Sequence, residues 1–386
     1  MNSRERIQLA LDHKEADRIP VDLGATVMTS LHKVAYRNLR RHMQLPEVDI
    51  RLADTVQQLV YVDKDVRDLF HVDVQGVNPR PSTVSAKIQI KDEMPAYTHF
   101  YDEWGIGWKM PKDGGFYFDV FHHPLRGDLN NADLDRYPWP DPTDPARFVG
   151  MRERAQRIID VDREAVIIGG LCAGFVEMAG WLRGYQDYLI DFAINPSFME
   201  CLFDKLLELK MAYWDKMLAE VGDIADAVLE SDDMGSQIDM LFSPAMYRRL
   251  VKPRHKLLYD FIKSRTKAKI FFHSCGAIRK VLPDLIEVGI DILNPVQVSA
   301  TGMDSAHLKR DFGKDLTFWG GGVETQQVLS RGTVQEVKDD VHRRIDDLAP
   351  GGGFVFATIH AIQANVPPEN VLAVWEALRQ YDRYQD

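Results

Sequence analysis

Cysteine is scarce in this sequence of 386 residues, which contains only Cys172, Cys201 and Cys275. The three are widely spaced and odd in number, which argues against a disulfide framework and favours a reducing compartment. An apolar run of about 20 residues is also missing, and the N-terminus lacks a basic segment followed by an apolar one. We therefore expect a cytoplasmic protein without a signal peptide or a membrane span.

Positive charge is in deficit as well. Lys and Arg number 47 against 58 Asp and Glu, which gives a formal net charge of −11. This balance argues against nucleic acid as the main partner. The proportions of 45% hydrophobic and 27% charged residues are those of a soluble globular protein. The length suits one large barrel or two ordinary domains.

Short apolar strands alternate with segments of helical spacing through most of the chain. Strands are predicted near residues 20, 72, 166, 227, 270, 292, 318 and 355. This alternation favours a parallel sheet, and the strand count predicts an α/β fold of the (β/α)8 TIM barrel type. An open doubly wound sheet is the alternative. We expect one barrel domain over residues 1–386.

Residues from about 80 to 125 depart from that alternation. Aromatic and polar residues alternate from Tyr97 to Lys109 and again from Gly115 to Phe121, around an Asp113-Gly114 turn. A period of two predicts an inserted antiparallel β-hairpin element. Its rings either cover a pocket or simply pack within the hairpins. Residues 50–70, in contrast, carry apolar residues at helical spacing, and we predict a helix there.

One stretch concentrates the chemistry of the chain. A short buried strand over residues 268–272 leads into His273, and Cys275 follows two positions later. Residues i and i+2 of an extended backbone point to the same face, so the imidazole and the thiol converge. Zinc takes ligands of both kinds. The alternative is a core cysteine beside a structural histidine, because two ligands do not make a site.

Further polar residues follow the ends of other predicted strands. The carboxyl ends of the strands in a parallel barrel share one rim, where active sites form. The residues that we expect on this rim are Asp22, Glu230, Asp232, Asp233, His273, Cys275, Asn294, Gln297 and His360.

His360 ends the last predicted strand and completes a candidate metal site. We predict that His273, Cys275 and His360 bind a metal ion, with a carboxylate or water as the fourth ligand. Three protein ligands and one open position are the arrangement of a catalytic zinc. The alternative is that His360 acts without metal, as a general acid or as a hydrogen-bond donor to the substrate.

Acidic residues on the same rim have several readings. Glu177 either completes the metal sphere, orients a ligand, or is a first-turn glutamate favoured by the helix dipole. Asp232 and Asp233 either bind a cationic substrate, relay a proton or cap the following turn, and we expect only one of them to be functional. Our candidates are therefore Asp232, Asp233 and Glu177 as catalytic residues, and Asn294, Gln297 and Asp22 as substrate-binding residues.

Six motifs, spread nearly from end to end, resemble the methyltransferase-like branch of the uroporphyrinogen decarboxylase superfamily. This resemblance implies a distorted (β/α) barrel, in agreement with the strand count. The motifs are the opening Arg4-Glu-Arg-Ile-Gln-Leu-Ala-Leu-Asp-His with Asp17-Arg-Ile-Pro-Val, then Ser243-Pro-Ala-Met-Tyr-Arg-Arg-Leu-Val-Lys-Pro, Phe272-His-Ser-Cys-Gly, Asn294-Pro-Val-Gln, Gly320-Gly-Gly-Val-Glu-Thr-Gln and Pro367-Pro-Glu-Asn-Val.

The superfamily divides by chemistry at the end of the first strand. Its haem-pathway decarboxylases carry an Arg-Gln-Ala-Gly-Arg run there, whose arginines hold the carboxylates of the porphyrinogen. This sequence has Val21-Asp-Leu-Gly-Ala-Thr-Val-Met-Thr-Ser-Leu-His instead, without an arginine. A substrate rich in carboxylates therefore lacks its bidentate partners, which argues against decarboxylation.

The other branch contains zinc-dependent, corrinoid-linked methyltransferases that bind zinc through His-x-Cys and a later Cys. His273 and Cys275 match the first two ligands, and the flanking Ala361-Ile362 align the later Cys with His360. The decarboxylases also carry a histidine at that position. One thiolate fewer leaves the metal less negative, which suits polarising a methyl ether, alcohol or amine better than activating a thiol.

The resemblance therefore predicts a zinc-dependent methyltransferase that moves a methyl group between a small methylated substrate and cobalamin. The sequence lacks the cobalamin-ligating Asp-x-His-x-x-Gly pattern, so we expect the cobalamin on a partner corrinoid protein. A homodimer is compatible with the sequence. A second hypothesis is a metal-free lyase or decarboxylase that uses His360 as general acid. A third is a non-catalytic carrier of a corrinoid or tetrapyrrole.

Overall fold

The structure, a computed structural model, describes residues 1–381 and 384. Within this part of the chain, no helix combines the length and the hydropathy that crossing a membrane requires. The strands are β1 (Leu52–Asp54), β2 (Leu59–Val60), β3 (Val74–Val77), β4 (Tyr97–Tyr101), β5 (Gly107–Pro111), β6 (Asp119–His122), β7 (Ala165–Ile168), β8 (Ala227–Ser231), β9 (Lys269–His273), β10 (Ile292–Asn294), β11 (Thr317–Trp319) and β12 (Phe354–Val355). The α-helices are α1 (Ser3–Leu11), α2 (Lys33–His42), α3 (Lys64–Leu69), α4 (Asn131–Arg136), α5 (Met151–Arg157), α6 (Phe175–Arg183), α7 (Tyr185–Ile194), α8 (Pro196–Val221), α9 (Pro244–Met246), α10 (Lys252–Lys263), α11 (Leu282–Val288), α12 (Ser305–Phe312), α13 (Val328–Arg331), α14 (Val334–Leu348) and α15 (Pro368–Tyr381).

Parallel strands form the main sheet, in the order β12-β11-β10-β9-β8-β7-β3. The backbone at Val21 lies between its two edge strands. Val21 forms a parallel bridge to Phe356, and its carbonyl accepts a hydrogen bond of 2.8 Å from the N–H of Asp73. The predicted TIM-type α/β fold is therefore confirmed. The first predicted strand is shorter than expected, because Pro20 lacks an N–H to donate and Gly24 (φ 90°) turns the chain away.

Two apolar clusters divide the inside of the barrel from its outside. The outer and larger cluster lies between the sheet and the surrounding helices. The inner cluster includes three residues of α1, which closes the barrel at the amino ends of the strands. The interior of the barrel is therefore filled with apolar side chains. The inner cluster consists of Ile7, Ala10, Leu11, Ala25, Val74, Ala165, Ile167, Ala227, Phe271, Ile292, Trp319, Val355 and Ala357.

The inserted element is a three-stranded antiparallel sheet in the order β4-β5-β6. Phe100 and Trp108 are cross-strand partners, and both are buried. The ring of Trp108 lies edge-on to that of Trp181 in α6, with 5.4 Å between centroids. These rings pack the insert against the helix that borders the barrel mouth. The single-domain organisation of the chain stays a prediction.

Two predicted helices are wrong in part. Residues 52–60 form the β1-β2 hairpin, because the Asp54 carboxylate accepts the N–H of Gln57 at 2.5 Å and Gln58 adopts a left-handed φ of 57°. Helix begins only at α3. The predicted helix over residues 177–194 is divided into α6 and α7 by Gly184, whose φ of 86° does not fit a helix.

A buried acid lies at the amino end of β7, far from the rim of strand ends. Glu164 is 5% exposed, and its Oε2 has no hydrogen-bond partner within the described part of the chain. Burial, before any other cause, raises the pKa of Glu164 to about 7. The folded chain holds this proton more tightly than the unfolded chain does. The resulting stability is present below the unfolded pKa and is lost as the pH rises through the folded pKa.

We predict that Glu164→Gln reduces the loss of stability on going from about pH 5 to about pH 8, by roughly 1–3 kcal/mol relative to the unsubstituted protein. An amide cannot ionise, so the penalty for a buried charge disappears. Urea unfolding at several pH values measures this difference. Glu93→Gln, at an exposed position, is the matched control. Parallel pH profiles for Glu164→Gln and the unsubstituted protein would contradict the prediction.

Candidate metal centre at the mouth of the barrel

The three predicted metal ligands meet at the carboxyl ends of the strands. His273 is the last residue of β9, Cys275 follows two positions later, and His360 lies beyond β12. One ligand atom from each lies within 4.8 Å of the other two. The Sγ of Cys275 is 3.5 Å from the Nε2 of His273. The structure thus brings the three side chains together, and the bound metal stays a prediction.

The turn that presents Cys275 is held by its neighbours on both sides. The N–H of Cys275 donates to the Oδ1 of Asp233 at 2.8 Å, and the N–H of Gly276 donates to the Oε1 of Gln297 at 2.6 Å. Gly276 has a φ of 88°, and a Cβ there would lie 2.3 Å from the backbone of Gly235. Gln297, predicted to bind substrate, therefore holds the ligand loop through its carbonyl oxygen.

A fixed hydrogen-bond chain orients the ring of His273. Its Nδ1 lies 2.5 Å from the Oδ1 of Asn294, whose Nδ2 donates to the carbonyl of Trp319 at 2.7 Å. Because the amide nitrogen of Asn294 is already a donor to that carbonyl, its oxygen accepts from Nδ1. The network thereby assigns a lone pair to Nε2, the atom that faces Cys275. Asn294 is fully buried and orients His273, and its predicted role in substrate binding stays a prediction.

His360 is half-buried and faces His273, with 5.7 Å between the ring centroids. Burial lowers the pKa of His360, and the neighbouring His273 lowers it further. The ring is therefore neutral near pH 7, which is the form that binds a metal. Its two nitrogens have no hydrogen-bond partner among residues 1–381 and 384, so rotation of this ring is not restrained as that of His273 is.

Acidic groups surround the thiol on the side of α6. The Oδ1 of Asp233 is 3.6 Å from the Nε2 of His273. Burial raises the pKa of Cys275 well above its usual range, and the charges of Asp233 and Glu177 raise it further. Burial also raises the pKa of Glu177 well above its usual range, followed by repulsion from Asp233 and Asp232. The site thus disfavours its own negative charges, a condition that a bound cation would relieve.

Asp232 points away from that cluster. It is fully buried, and its carboxylate accepts the backbone N–H groups of Phe175, Val176 and Glu177 at 3.1, 2.9 and 3.2 Å. These are the first residues of α6, whose N-cap, Gly174, has no side chain to cap them. Asp232 therefore caps α6, and its catalytic role stays a prediction. Of the two consecutive aspartates, only Asp233 lies beside the ligands.

Asp22 lies inside the barrel, across from β9. Its Oδ1 accepts the N–H of Ala25 and its Oδ2 accepts the indole N–H of Trp319, each at 2.9 Å. Burial raises the pKa of Asp22 to about 6. Both oxygens already have a partner, and a role in substrate binding stays a prediction.

Two residues near the site, Tyr185 and His255, were not among the candidates predicted from the sequence. Tyr185 begins α7, and its pKa is raised to about 12 by burial and by the charges of Glu177 and Asp233. The Nε2 of His255 lies 3.2 Å from the Oδ2 of Asp232. The motif that begins at Ser243 was a signal for His255, because it contains Tyr247, whose hydroxyl lies 3.2 Å from the other ring nitrogen of His255.

Comparison with known proteins agrees with this architecture. The protein-family model described as uroporphyrinogen decarboxylase (URO-D) matches residues 101–381. A uroporphyrinogen decarboxylase from Alkalilimnicola ehrlichii is 26% identical over 296 residues, which cover 74% of either chain. A methyltransferase from Methanosarcina mazei has the same fold, with a TM-score of 0.66, 19% identity and 99% of both chains covered. Since the family model spans more than half of the sequence, the chain belongs to the uroporphyrinogen decarboxylase (URO-D) family.

Proposed function

We propose that this chain is a zinc-dependent methyltransferase that moves a methyl group between a small methylated substrate and cobalamin on a partner corrinoid protein. The substrate is a methyl ether, alcohol, amine or similar compound. The observation that carries the proposal is the convergence of His273, Cys275 and His360, with one ligand atom of each within 4.8 Å of the others. Belonging to the URO-D family makes the chain an enzyme of the methyltransferase or decarboxylase type.

The donor set suits zinc. Tetrahedral zinc with bonds of about 2.0–2.3 Å keeps its ligand atoms about 3.3–3.8 Å apart. The separation of 3.5 Å between Cys275 Sγ and His273 Nε2 matches this value. The other separations, of up to 4.8 Å, would close if the His360 ring rotated, since it lacks the hydrogen bond that fixes His273. Two nitrogens and one sulfur leave a fourth position open, where zinc would polarise the heteroatom that carries the methyl group.

The surrounding residues have separate tasks in this proposal. Asn294 and Asp233 hold His273 and Cys275 in place through the hydrogen bonds described above. Burial and the neighbouring carboxylates raise the pKa of Glu177 well above its usual range and so favour its protonated form. We assign Glu177 the role of general acid, which protonates the heteroatom as the methyl group leaves. This step leaves Glu177 as a carboxylate, which must regain a proton from solvent before the next turnover.

The charge at the mouth of the barrel argues against a polycarboxylate substrate. Glu177 and Asp233 border the ligands, and Lys210, the cation that acts on Glu177, is buried in an ion pair of 2.8 Å with Glu230. The segment 21–32, at the end of the first strand, contains no arginine. A porphyrinogen would place its carboxylates beside acids instead of guanidinium groups.

We predict that the protein, purified without added metal, contains about one zinc ion per chain. His273→Ala and Cys275→Ala each remove a ligand and should abolish this content, as measured by elemental analysis. Cys201→Ala, a cysteine substitution in α8 outside the cluster, is the matched control and should retain the metal. If the unsubstituted protein never binds a stoichiometric amount of metal, even when metal is added, the methyltransferase proposal is wrong.

We predict that Asn294→Leu lowers zinc affinity by about 10–100-fold without removing a ligand. The substitution releases the ring of His273, so that ring must be ordered when the metal binds. Competition with a chromophoric chelator measures the affinity. Asn294→Asp keeps an acceptor for Nδ1 and should retain most of the affinity. Equal affinity in Asn294→Leu and the unsubstituted protein would show that this hydrogen bond does not prepare the site.

The relative from Alkalilimnicola ehrlichii, described as a uroporphyrinogen decarboxylase, supports a second candidate function. This function is metal-free decarboxylation with His360 as the general acid.

We predict that methylated ethers, alcohols or amines, incubated with reduced free cobalamin, yield methylcobalamin, and that chelation stops the reaction. The visible spectrum of the cobalamin reports methylation directly. Uroporphyrinogen should remain unchanged, because the site offers its carboxylates no guanidinium partner. Decarboxylation that survives both chelation and Cys275→Ala, but not His360→Ala, would establish the second candidate.

A further inference from the structure

The amino end of α6 is pressed against the end of β8. A Cβ on Gly174 would lie 2.1 Å from the carbonyl oxygen of Ser231 and 2.3 Å from the Cγ of Asp232. Such contacts exclude every residue except glycine at the N-cap of this helix. The helix therefore lacks a cap of its own, and its first N–H groups need an acceptor from another element.

Asp232 is that acceptor. Its two oxygens take three consecutive N–H groups of the first turn of α6, at 2.9–3.2 Å. A carboxylate at a helix N-terminus also gains from the helix dipole. Glu177 belongs to this same turn, and its own N–H is one of the three. The position of the Glu177 backbone is thus fixed by Asp232.

His255 holds Asp232 from the opposite side. Its Nε2 lies 3.2 Å from the Oδ2 of Asp232, and its Nδ1 lies 3.2 Å from the hydroxyl of Tyr247. The imidazole is stacked on the ring of Tyr259 at 5.4 Å with an interplanar angle of 10°, and Phe175 covers it at 5.4 Å. His255, Asp232 and Tyr247 are at most 1% exposed. The ring therefore has one orientation.

We infer that Asp232 and His255 are positioning residues that hold the first turn of α6, and with it Glu177, at the mouth of the barrel, with Tyr247 at the end of this hydrogen-bond chain. The inference rests on the proposed function for the role of Glu177 as an acid. It gives a task to Tyr247 and to the motif that begins at Ser243, neither of which contacts the ligand cluster.

A second contact holds the loop between β7 and α6, and it offers a control. Lys210 donates to the carbonyl of Cys172 at 3.3 Å and pairs with Glu230, whose other oxygen accepts the indole N–H of Trp214 at 2.6 Å. Trp214→Phe weakens this buried contact without altering a charge or the capping of α6. It therefore reproduces a loss of stability but not a displacement of Glu177.

The test measures amide hydrogen exchange at the first turn of α6 in metal-free protein. His255→Leu removes the donor to Asp232, so its carboxylate loosens and the N–H groups that it caps, those of Phe175, Val176 and Glu177, exchange faster. We expect these three amides to lose protection by about tenfold or more relative to the rest of α6. His255→Gln keeps an N–H donor and should retain most of the protection.

Unchanged protection of these amides in His255→Leu, with stability reduced as in Trp214→Phe, would overturn the inference, because His255 would then be structural only. An equal loss of protection throughout α6 in His255→Leu and Trp214→Phe would overturn it as well. Tyr247→Phe, which removes a single hydroxyl, replaces His255→Leu if that variant does not fold, and should produce a smaller loss of protection at the same amides. Since the readout needs no metal, failure to bind zinc refutes the proposed function and leaves this test intact.

Discussion

The hydrogen bond between Asn294 and His273 is the contact on which the site depends. It exists because β9 and β10 are parallel and in a register that places these two residues side by side at the strand ends. Asn294 is in turn tied to β11 through the carbonyl of Trp319. Three neighbouring strands thereby determine which nitrogen of His273 faces Cys275. The geometry of the candidate ligand is a property of the sheet, not of a mobile loop.

The two aspartates that follow β8, Asp232 and Asp233, contact different elements. Neighbouring residues in extended backbone point in opposite directions. Asp232 therefore reaches outward to α6, while Asp233 turns toward the amide of Cys275. One pair of adjacent carboxylates positions both an acid on a helix and a thiol on a loop. The end of β8 thus connects the helical shell of the barrel to its mouth.

Much of this arrangement could be predicted from local sequence. Alternating strands and helices predicted the barrel, and the i, i+2 spacing predicted that His273 and Cys275 converge. The role of Asp232 could not be predicted, because it depends on what lies opposite a strand end that is 57 residues from its partner Phe175. The β1-β2 hairpin was missed for another reason. Its apolar residues repeat at helical spacing, but a side-chain turn at Asp54 overrides that pattern.

The charge of the site explains why an imidazole at residue 360 suits this chain. Asp233 borders the ligands, and a thiolate at Cys275 would add a second negative charge. With Glu177 protonated, these two charges would balance one divalent cation, if one binds as proposed. A second thiolate in place of His360 would leave the buried cluster with an excess negative charge, at a cost that burial increases. His360 would supply a ligand atom without that charge, since burial lowers its pKa. The departure from a His-x-Cys and later Cys pattern therefore follows from the carboxylates that this chain has gathered around the same point.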